Sequence, residues 1–167
     1  MPSLYLIRHG IAEERGNYED DTQRPLADEG RKKTKQVAKR LYDLGLRFDL
    51  LQTSPLVRAQ QTADIFTELF ATPVQQSLEL APEGNFETWL SWVAEWLSQH
   101  PQPAKASLGI IGHEPDLSSW AEMLIWGEVK GGLVLKKAGL IGLSLPETQP
   151  WINNGVLFLL IPPKLLI

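Results

Sequence analysis

Two histidines and two arginines of this chain stand beside turn residues at the ends of apolar segments. They are Arg8, His9, Arg58 and His113. A guanidinium group donates paired hydrogen bonds to phosphate oxygens. A neutral imidazole can attack phosphorus when its other ring nitrogen is held by a hydrogen bond, and a second, protonated imidazole can stabilise the transferring oxygens. These residue types therefore indicate a site for a tetrahedral oxyanion.

Each of these side chains closely follows a segment that is predicted to be a buried strand. The three apolar segments are 3–7, 48–54 and 106–112. In an open α/β sheet the carboxyl ends of the parallel strands meet at one edge, and ligands bind in the crevice there. We therefore expect the four side chains to surround one crevice, although they are far apart in the sequence.

The rest of the chain alternates between helical and strand patterns. Helices are predicted over 28–44, after Ser54-Pro55, over 86–99 and from Pro115 to Gly127. Further strands are predicted within 73–80 and over 132–137, 138–145 and 156–161. This order predicts a three-layer α/β/α sandwich with a mostly parallel, mixed central sheet. We expect residues 1–167 to form a single domain.

The composition excludes several classes of protein and site. The chain has 167 residues, no cysteine and a net charge of −4. It therefore has no disulfide or thiolate ligand, and a broad nucleic-acid surface is not expected. We expect no metal or other cofactor, because the two histidines lack a third ligand. No signal peptide or membrane-spanning run is visible, so we expect a cytoplasmic protein that does not bind a membrane.

The adjacent pair Arg8 and His9 raises a geometric question. Successive side chains of a strand point to opposite faces of the sheet. Both residues can reach one phosphate group only if the strand ends or turns between them. We therefore expect the chain to leave the sheet at this point.

Three segments resemble the signatures of the histidine phosphatase superfamily, which has the phosphoglycerate-mutase-like fold. They are LIRHG (6–10), TSPLVRAQQTA (53–63) and GHEP (112–115). The short chain, KGGL (130–133) and the run from Gly155 to Pro162 are similar to the bacterial SixA-type phosphohistidine phosphatases within that superfamily. The resemblance covers essentially the whole chain.

The resemblance implies a role for each matching residue. His9 would be the nucleophile that forms a covalent phosphohistidine intermediate, and His113 would be the second histidine of the pocket. Arg8 and Arg58 would bind the phosphoryl oxygens. Arg24, in a segment that resembles a further family motif, would add positive charge, although a surface role explains it equally well.

The general acid is the open question of the site. Many members of this superfamily that hydrolyse phosphate esters use a carboxylic acid from the segment that corresponds to 78–85. Here the candidates are Glu79, which fits the family position better, and Glu83. Either residue can equally be a solvated surface carboxylate, in which case the site has no acid from this segment.

The pKa of the leaving group ranks the candidate substrates. An imidazole, with an ordinary pKa of about 6.5, leaves phosphorus with far less help than an alkoxide. A chain of this length also has few residues left to form a lid over the pocket. We therefore expect a metal-independent phosphatase that acts on phosphohistidine of a partner protein, such as a phosphotransfer domain, and releases inorganic phosphate. The alternatives are a small-molecule phosphomonoesterase and a non-catalytic phosphate-binding module.

Overall fold

The computed structural model describes residues 1–167 and contains six strands and four helices. The strands are β1 (Ser3–Arg8), β2 (Leu50–Thr53), β3 (Val74–Gln76), β4 (Ser107–Gly112), β5 (Leu140–Ser144) and β6 (Val156–Ile161). The helices are α1 (Asp28–Asp43), α2 (Val57–Phe70), α3 (Phe86–Gln99) and α4 (Asp116–Trp126). No helix combines the length and the apolar character that crossing a membrane requires.

All six strands form one sheet in the order β3-β2-β4-β1-β5-β6. The first four strands in this order are parallel, whereas β5 and β6 are antiparallel to their neighbours. The mostly parallel, mixed sheet is therefore confirmed. Because β2, β4 and β1 are adjacent, their carboxyl ends lie side by side, and the segments that follow them are brought together.

Helices cover both faces of the sheet, as the three-layer prediction requires. One apolar cluster joins Val37 of α1 and Phe66 of α2 to Ile7 in the sheet. The other joins Trp89 of α3 and Trp120 of α4. Side chains on the two faces of each central strand therefore pack into two separate cores.

The predicted strand over 132–137 is wrong. This segment follows α4 in an irregular, unpaired path, and β5 begins only at Leu140. The buried carboxylate of Glu122 accepts hydrogen bonds from four successive backbone N–H groups, those of Lys130, Gly131, Gly132 and Leu133. A side chain therefore satisfies donors that a strand would offer to a neighbouring strand.

The start of α1 is held by backbone contact and not by a capping side chain. Ala27 occupies the N-cap position and makes no side-chain hydrogen bond. Its N–H donates to the carbonyl oxygen of Ile11 at 3.0 Å. Gly30 packs directly against the same carbonyl group. This contact ties the helix to the chain just beyond Gly10.

We expect Gly30→Ala to destabilise the protein. Alanine in a helix is ordinarily more stable than glycine by about 0.5–1 kcal/mol. Here the added Cβ would lie 1.9 Å from the carbonyl oxygen of Ile11, so the backbone must move. We expect urea denaturation to show a loss of about 2 kcal/mol or more in the free energy of unfolding.

Gly16→Ala is the matched control, because a Cβ at Gly16 meets nothing within 4 Å. Its free energy of unfolding should stay within roughly 0.5 kcal/mol of the wild type. A Gly30→Ala protein as stable as this control would contradict the packing described here.

Candidate active site

The end of β1 places Arg8 and His9 next to β4, where the N–H of His9 still donates to the carbonyl oxygen of Gly112 at 3.1 Å. β1 ends at Arg8, and the N–H of Ala138 donates to the carbonyl oxygens of both residues. The Nδ1 atom of His9 lies 2.7 Å from the carbonyl oxygen of Gly10. Because a carbonyl only accepts, Nδ1 must carry the proton, and in the neutral ring Nε2 is the nitrogen with a free lone pair.

The second histidine lies directly beside the first. The ring centroids of His9 and His113 are 5.1 Å apart. Nε2 of His113 lies 2.7 Å from the hydroxyl of Ser54, which also accepts a hydrogen bond from the N–H of Leu56. The ends of β1, β2 and β4 thus meet at these two imidazoles.

Two buried guanidinium groups share one carboxylate at the site. The Asp21 carboxylate lies 3.0 Å from Nη2 of Arg58 and 2.9 Å from Nε of Arg24. The arginine side chains are 4% and 8% exposed, respectively, whereas that of Asp21 is 46% exposed. An exposed turn therefore supplies the anion that two buried cations need.

These charges also act on Asp21 itself. Although desolvation by burial raises the pKa of its carboxyl group, the hydrogen bond from Arg24 and the charge of Arg58 outweigh it and lower the pKa overall. Asp21 is therefore ionised at neutral pH. A carboxylate offers the paired acceptors that guanidinium groups also find in phosphate.

Three site residues carry a buried nitrogen with no hydrogen-bond partner within the protein. They are Arg8 and Arg58 at Nε and His113 at Nδ1. Buried polar atoms are almost always paired, because an unpaired one costs about 1–3 kcal/mol. Phosphate oxygens are acceptors that satisfy such donors. The arrangement is therefore suited to an oxyanion.

Both imidazoles are neutral at pH 7. Burial lowers the pKa of His9 to about 3, and the positive charges around it add to this effect while the Gly10 carbonyl opposes it. Burial, followed by the charge of Arg58, lowers the pKa of His113 to about 4. His9 thus has the protonation state that a nucleophile requires. A phosphate dianion beside His113 would raise the pKa of that ring again.

Neither predicted acid forms a hydrogen bond with the histidines or arginines of the site. The carboxylate of Glu79 accepts from the N–H of Asn85 at 2.7 Å. Glu83 is exposed, and its N–H donates to Asp116 at 2.8 Å. Two other carboxylates act electrostatically on site residues, Glu114 on Arg8 and Asp21 on His113.

Two residues of the site were not identified from the sequence. Asp21 ends the acidic run 19–21, and its position three residues before Arg24 is a signal for an ion pair. The Thr62 hydroxyl accepts from the N–H of Gly10 at 3.1 Å and donates to the carbonyl oxygen of Arg58 at 2.8 Å. It therefore joins the segment after β1 to α2.

Comparisons with known proteins agree with this geometry. Residues 4–121 match the histidine phosphatase superfamily (branch 1). An uncharacterized protein of Picosynechococcus sp. (strain ATCC 27264 / PCC 7002 / PR-6) is 43% identical over 167 residues, which cover 98% of each chain.

Several solved structures share the fold. The protein histidine phosphatase SixA complexed with tungstate superposes with a TM-score of 0.84 at 22% identity, over 99% of both chains. A structure from Agrobacterium tumefaciens assigned to SixA has a TM-score of 0.76 at 25% identity, over 98% of this chain and 99% of that one. The alpha-ribazole phosphatase of Shigella flexneri has a TM-score of 0.75 at 17% identity, over 96% of each chain.

We expect Asp21→Asn to strengthen the binding of inorganic phosphate. The substitution removes the carboxylate that competes with phosphate for Arg24 and Arg58. A competing ion pair worth ~1 kcal/mol corresponds to about fivefold tighter binding. Isothermal titration with phosphate at pH 7 would measure it.

Asp20→Asn is the matched control, since it removes the same charge from the neighbouring residue. The hydrogen bonds of the Asp20 carboxylate are to Thr22, and asparagine can still accept from the Thr22 N–H. Weaker phosphate binding by Asp21→Asn than by Asp20→Asn would show that Asp21 instead organises the arginines.

We expect the stability of the protein to fall as the pH is lowered from about 6.5 towards 4. In this range the unfolded chain protonates His9 and His113, whereas the folded protein keeps both neutral. The unfolded state then binds more protons, so the free energy of unfolding decreases as the pH falls.

Urea denaturation of the wild type and of His113→Asn, at pH 7 and at pH 4.5, tests this expectation. The wild type should lose about 2 kcal/mol more than the variant between these values. Equal losses in the two proteins would mean that His113 takes up its proton in the folded state.

Proposed function

The chain belongs to the histidine phosphatase superfamily, which supports a phosphatase activity, and from this premise we propose that it hydrolyses phosphohistidine on a partner protein. The partner would be a protein such as a phosphotransfer domain, and the product would be inorganic phosphate. The observation that carries the proposal is the neutral His9 ring, whose Nδ1–H is held by Gly10 and on which the charges of Arg58 and Arg8 act.

His9 acts as the nucleophile in the proposed reaction. The lone pair of its Nε2 atom attacks phosphorus, a new P–N bond forms, and the bond from phosphorus to the substrate imidazole breaks. The substrate imidazole leaves with the electron pair of that bond and takes up a proton. Water then attacks the phosphorylated His9, which releases inorganic phosphate and restores the free ring.

The cations hold and stabilise the phosphoryl group during both steps. Arg8 and Arg58 bind its oxygens, and Arg24 adds positive charge beside Arg58. His113, next to His9, stabilises the charge on the oxygens once phosphate has raised its pKa. Asp21 must leave the two arginines when phosphate binds, and its exposed position permits this movement.

The state of the carboxylates favours phosphohistidine over an alkyl phosphate. An alkoxide must be protonated as it leaves, whereas an imidazole, with a pKa of about 6.5, needs much less help. The carboxylate of Glu79 accepts a hydrogen bond from the N–H of Asn85, and that of Asp21 pairs with the arginines. The carboxylate of Glu114, next to His113 in the chain, accepts hydrogen bonds from the N–H and hydroxyl of Ser118. Each of these three carboxylates is thus already hydrogen-bonded to other groups. The likeness of the fold to the SixA protein complexed with tungstate also supports this substrate class.

A small-molecule phosphomonoesterase is the second candidate. The fold is shared with the alpha-ribazole phosphatase of Shigella flexneri. The fold alone therefore does not distinguish a phosphohistidine substrate from a small-molecule phosphate ester. A non-catalytic phosphate-binding module is the third possibility, but binding alone does not require two adjacent imidazoles.

We also propose that the reaction needs no metal ion. No three His, Asp or Glu side chains are grouped so that they could hold one. The arginines and His113 supply the positive charge that a metal would otherwise provide. The cytoplasmic location remains a prediction from the sequence.

A panel of substrates on purified protein tests the proposal. We expect a synthetic phosphohistidine peptide to be hydrolysed faster than a sugar phosphate, and His9→Ala to lower both rates at least about 1,000-fold. Rapid quenching with labelled substrate should trap the label on His9. Faster turnover of the sugar phosphate would overturn the proposed substrate, and no label with no turnover would favour the binding module.

Glu79→Gln separates the two enzymatic candidates, with Glu83→Gln as the matched control. We expect phosphohistidine turnover to change by less than about twofold in both variants, because the imidazole leaves without a carboxylic acid. A large loss on the sugar phosphate confined to Glu79→Gln would identify Glu79 as a general acid for esters.

A further inference from the structure

A groove with a volume of about 840 Å³ lies beside the active site, between α1, the 130–138 segment and the chain after β6. Its lining contains no Asp or Glu, in a chain that has 20 of them against 16 Lys and Arg. Five cationic side chains line it: Arg8, Lys33, Lys136, Lys137 and Lys164. Five of the 16 Lys and Arg therefore line one concave surface that has no carboxylate in its lining.

Most of these lysines have no partner within the protein. Lys136, Lys137 and Lys164 are exposed and form no ion pair, while Lys33 pairs with Glu29 on the surface of α1. Burial and the charges of the site arginines, Arg8 foremost, lower the pKa of Lys137. The like charges repel one another, and an anionic ligand would relieve this repulsion.

One wall of the groove, formed by the 130–138 segment, is held in place by hydrogen bonds within the protein. Glu122 binds the backbone N–H groups of 130–133, and Arg8 donates from Nη1 to the carbonyl oxygen of Leu135 at 3.0 Å. Both contacts use buried or half-buried groups. They fix the path of the chain that carries Lys136 and Lys137.

Arg8 belongs to both the groove and the active site. It lines the groove, and its charge also reaches His9, where it contributes to lowering the pKa of the ring. Ala138, which also lines the groove, donates its N–H to the carbonyl oxygens of Arg8 and His9. The groove therefore adjoins the segment that carries the proposed nucleophile.

The chemistry of the lining favours a polypeptide over a second phosphate group. Lysines on flexible stems are point charges that suit carboxylates at variable positions, whereas phosphate is best held by converging forked donors. Between the lysines the lining is apolar, with Val134, Leu160 and Pro162. Acidic residues next to an apolar side chain match this combination.

We propose that this groove binds an acidic and apolar segment of the partner protein, adjacent to the phosphohistidine that enters the active site. This inference rests on the proposed function for the identity of the partner. The groove would select among phosphohistidine proteins by the charge of the chain that flanks the modified residue.

Two synthetic peptides that carry the same phosphohistidine test the proposal. One has Glu and Leu residues as flanks, and the other has Gly and Ser. On the wild type we expect kcat/KM to be about tenfold higher for the acidic peptide, a difference of ~1.4 kcal/mol. In the groove variant Lys136→Glu/Lys164→Glu, the ratio of the two values should fall to about one or below.

The variant Lys35→Glu/Lys105→Glu is the matched control. It changes the net charge equally but alters lysines outside the groove, so the preference for the acidic peptide should persist. Equal kcat/KM values for both peptides on the wild type would overturn the proposal. Equal loss of the preference in both double variants would also overturn it, because the effect would then be general attraction.

Direct binding distinguishes failure of this inference from failure of the proposed function. The probe is a fluorescein-labelled acidic peptide without a phosphohistidine, followed by anisotropy. If neither phosphopeptide is hydrolysed while a sugar phosphate is, the proposed function fails. Weaker binding to the groove variant than to the control would then still support an acidic-peptide site, and equal binding to both would overturn it.

Discussion

The structure depends on how buried positive charge is balanced at the carboxyl edge of the sheet. Arg24 and Arg58 are almost fully buried, and a buried cation is stable only with an anionic or hydrogen-bonding partner. Asp21 supplies that partner from an exposed turn. The same positive field, together with burial, keeps His9 and His113 neutral. Under the proposed function, these cations bind phosphate, the neutral His9 attacks it, and phosphate takes the place of Asp21.

A second carboxylate, that of Glu122, is buried and has a different role. It is matched by four backbone N–H groups, so its charge is fully compensated within the protein. Its effect is to give the 130–137 segment a fixed irregular path. Arg8 reaches that segment at Leu135 and so connects the loop to the candidate active site. Asp21 is half-exposed and Glu122 is buried, so of the two only Asp21 is placed to give up its partners to a bound anion, as the proposed function requires.

The sheet and its flanking helices form a fold that this protein shares with phosphatases of different substrates. The solved structures with this fold include a SixA protein and an alpha-ribazole phosphatase. The fold alone therefore does not specify the substrate. Under the proposed function, the segments that would select it are the one that carries Asp21, the loop that carries Glu79, and the lysine-rich wall beside Arg8.

The sequence by itself determined the fold class and the meeting of Arg8, His9, Arg58 and His113. Each of these residues closely follows an apolar strand. Because parallel strands share one carboxyl edge, the four residues are placed together there. The tertiary structure decided the rest. The pairing of Asp21 with Arg58 and the loss of the predicted strand at 132–137 depend on contacts that no local pattern encodes. A carboxylate binds whichever donors the fold brings within about 3 Å, and only the packed chain specifies which donors those are.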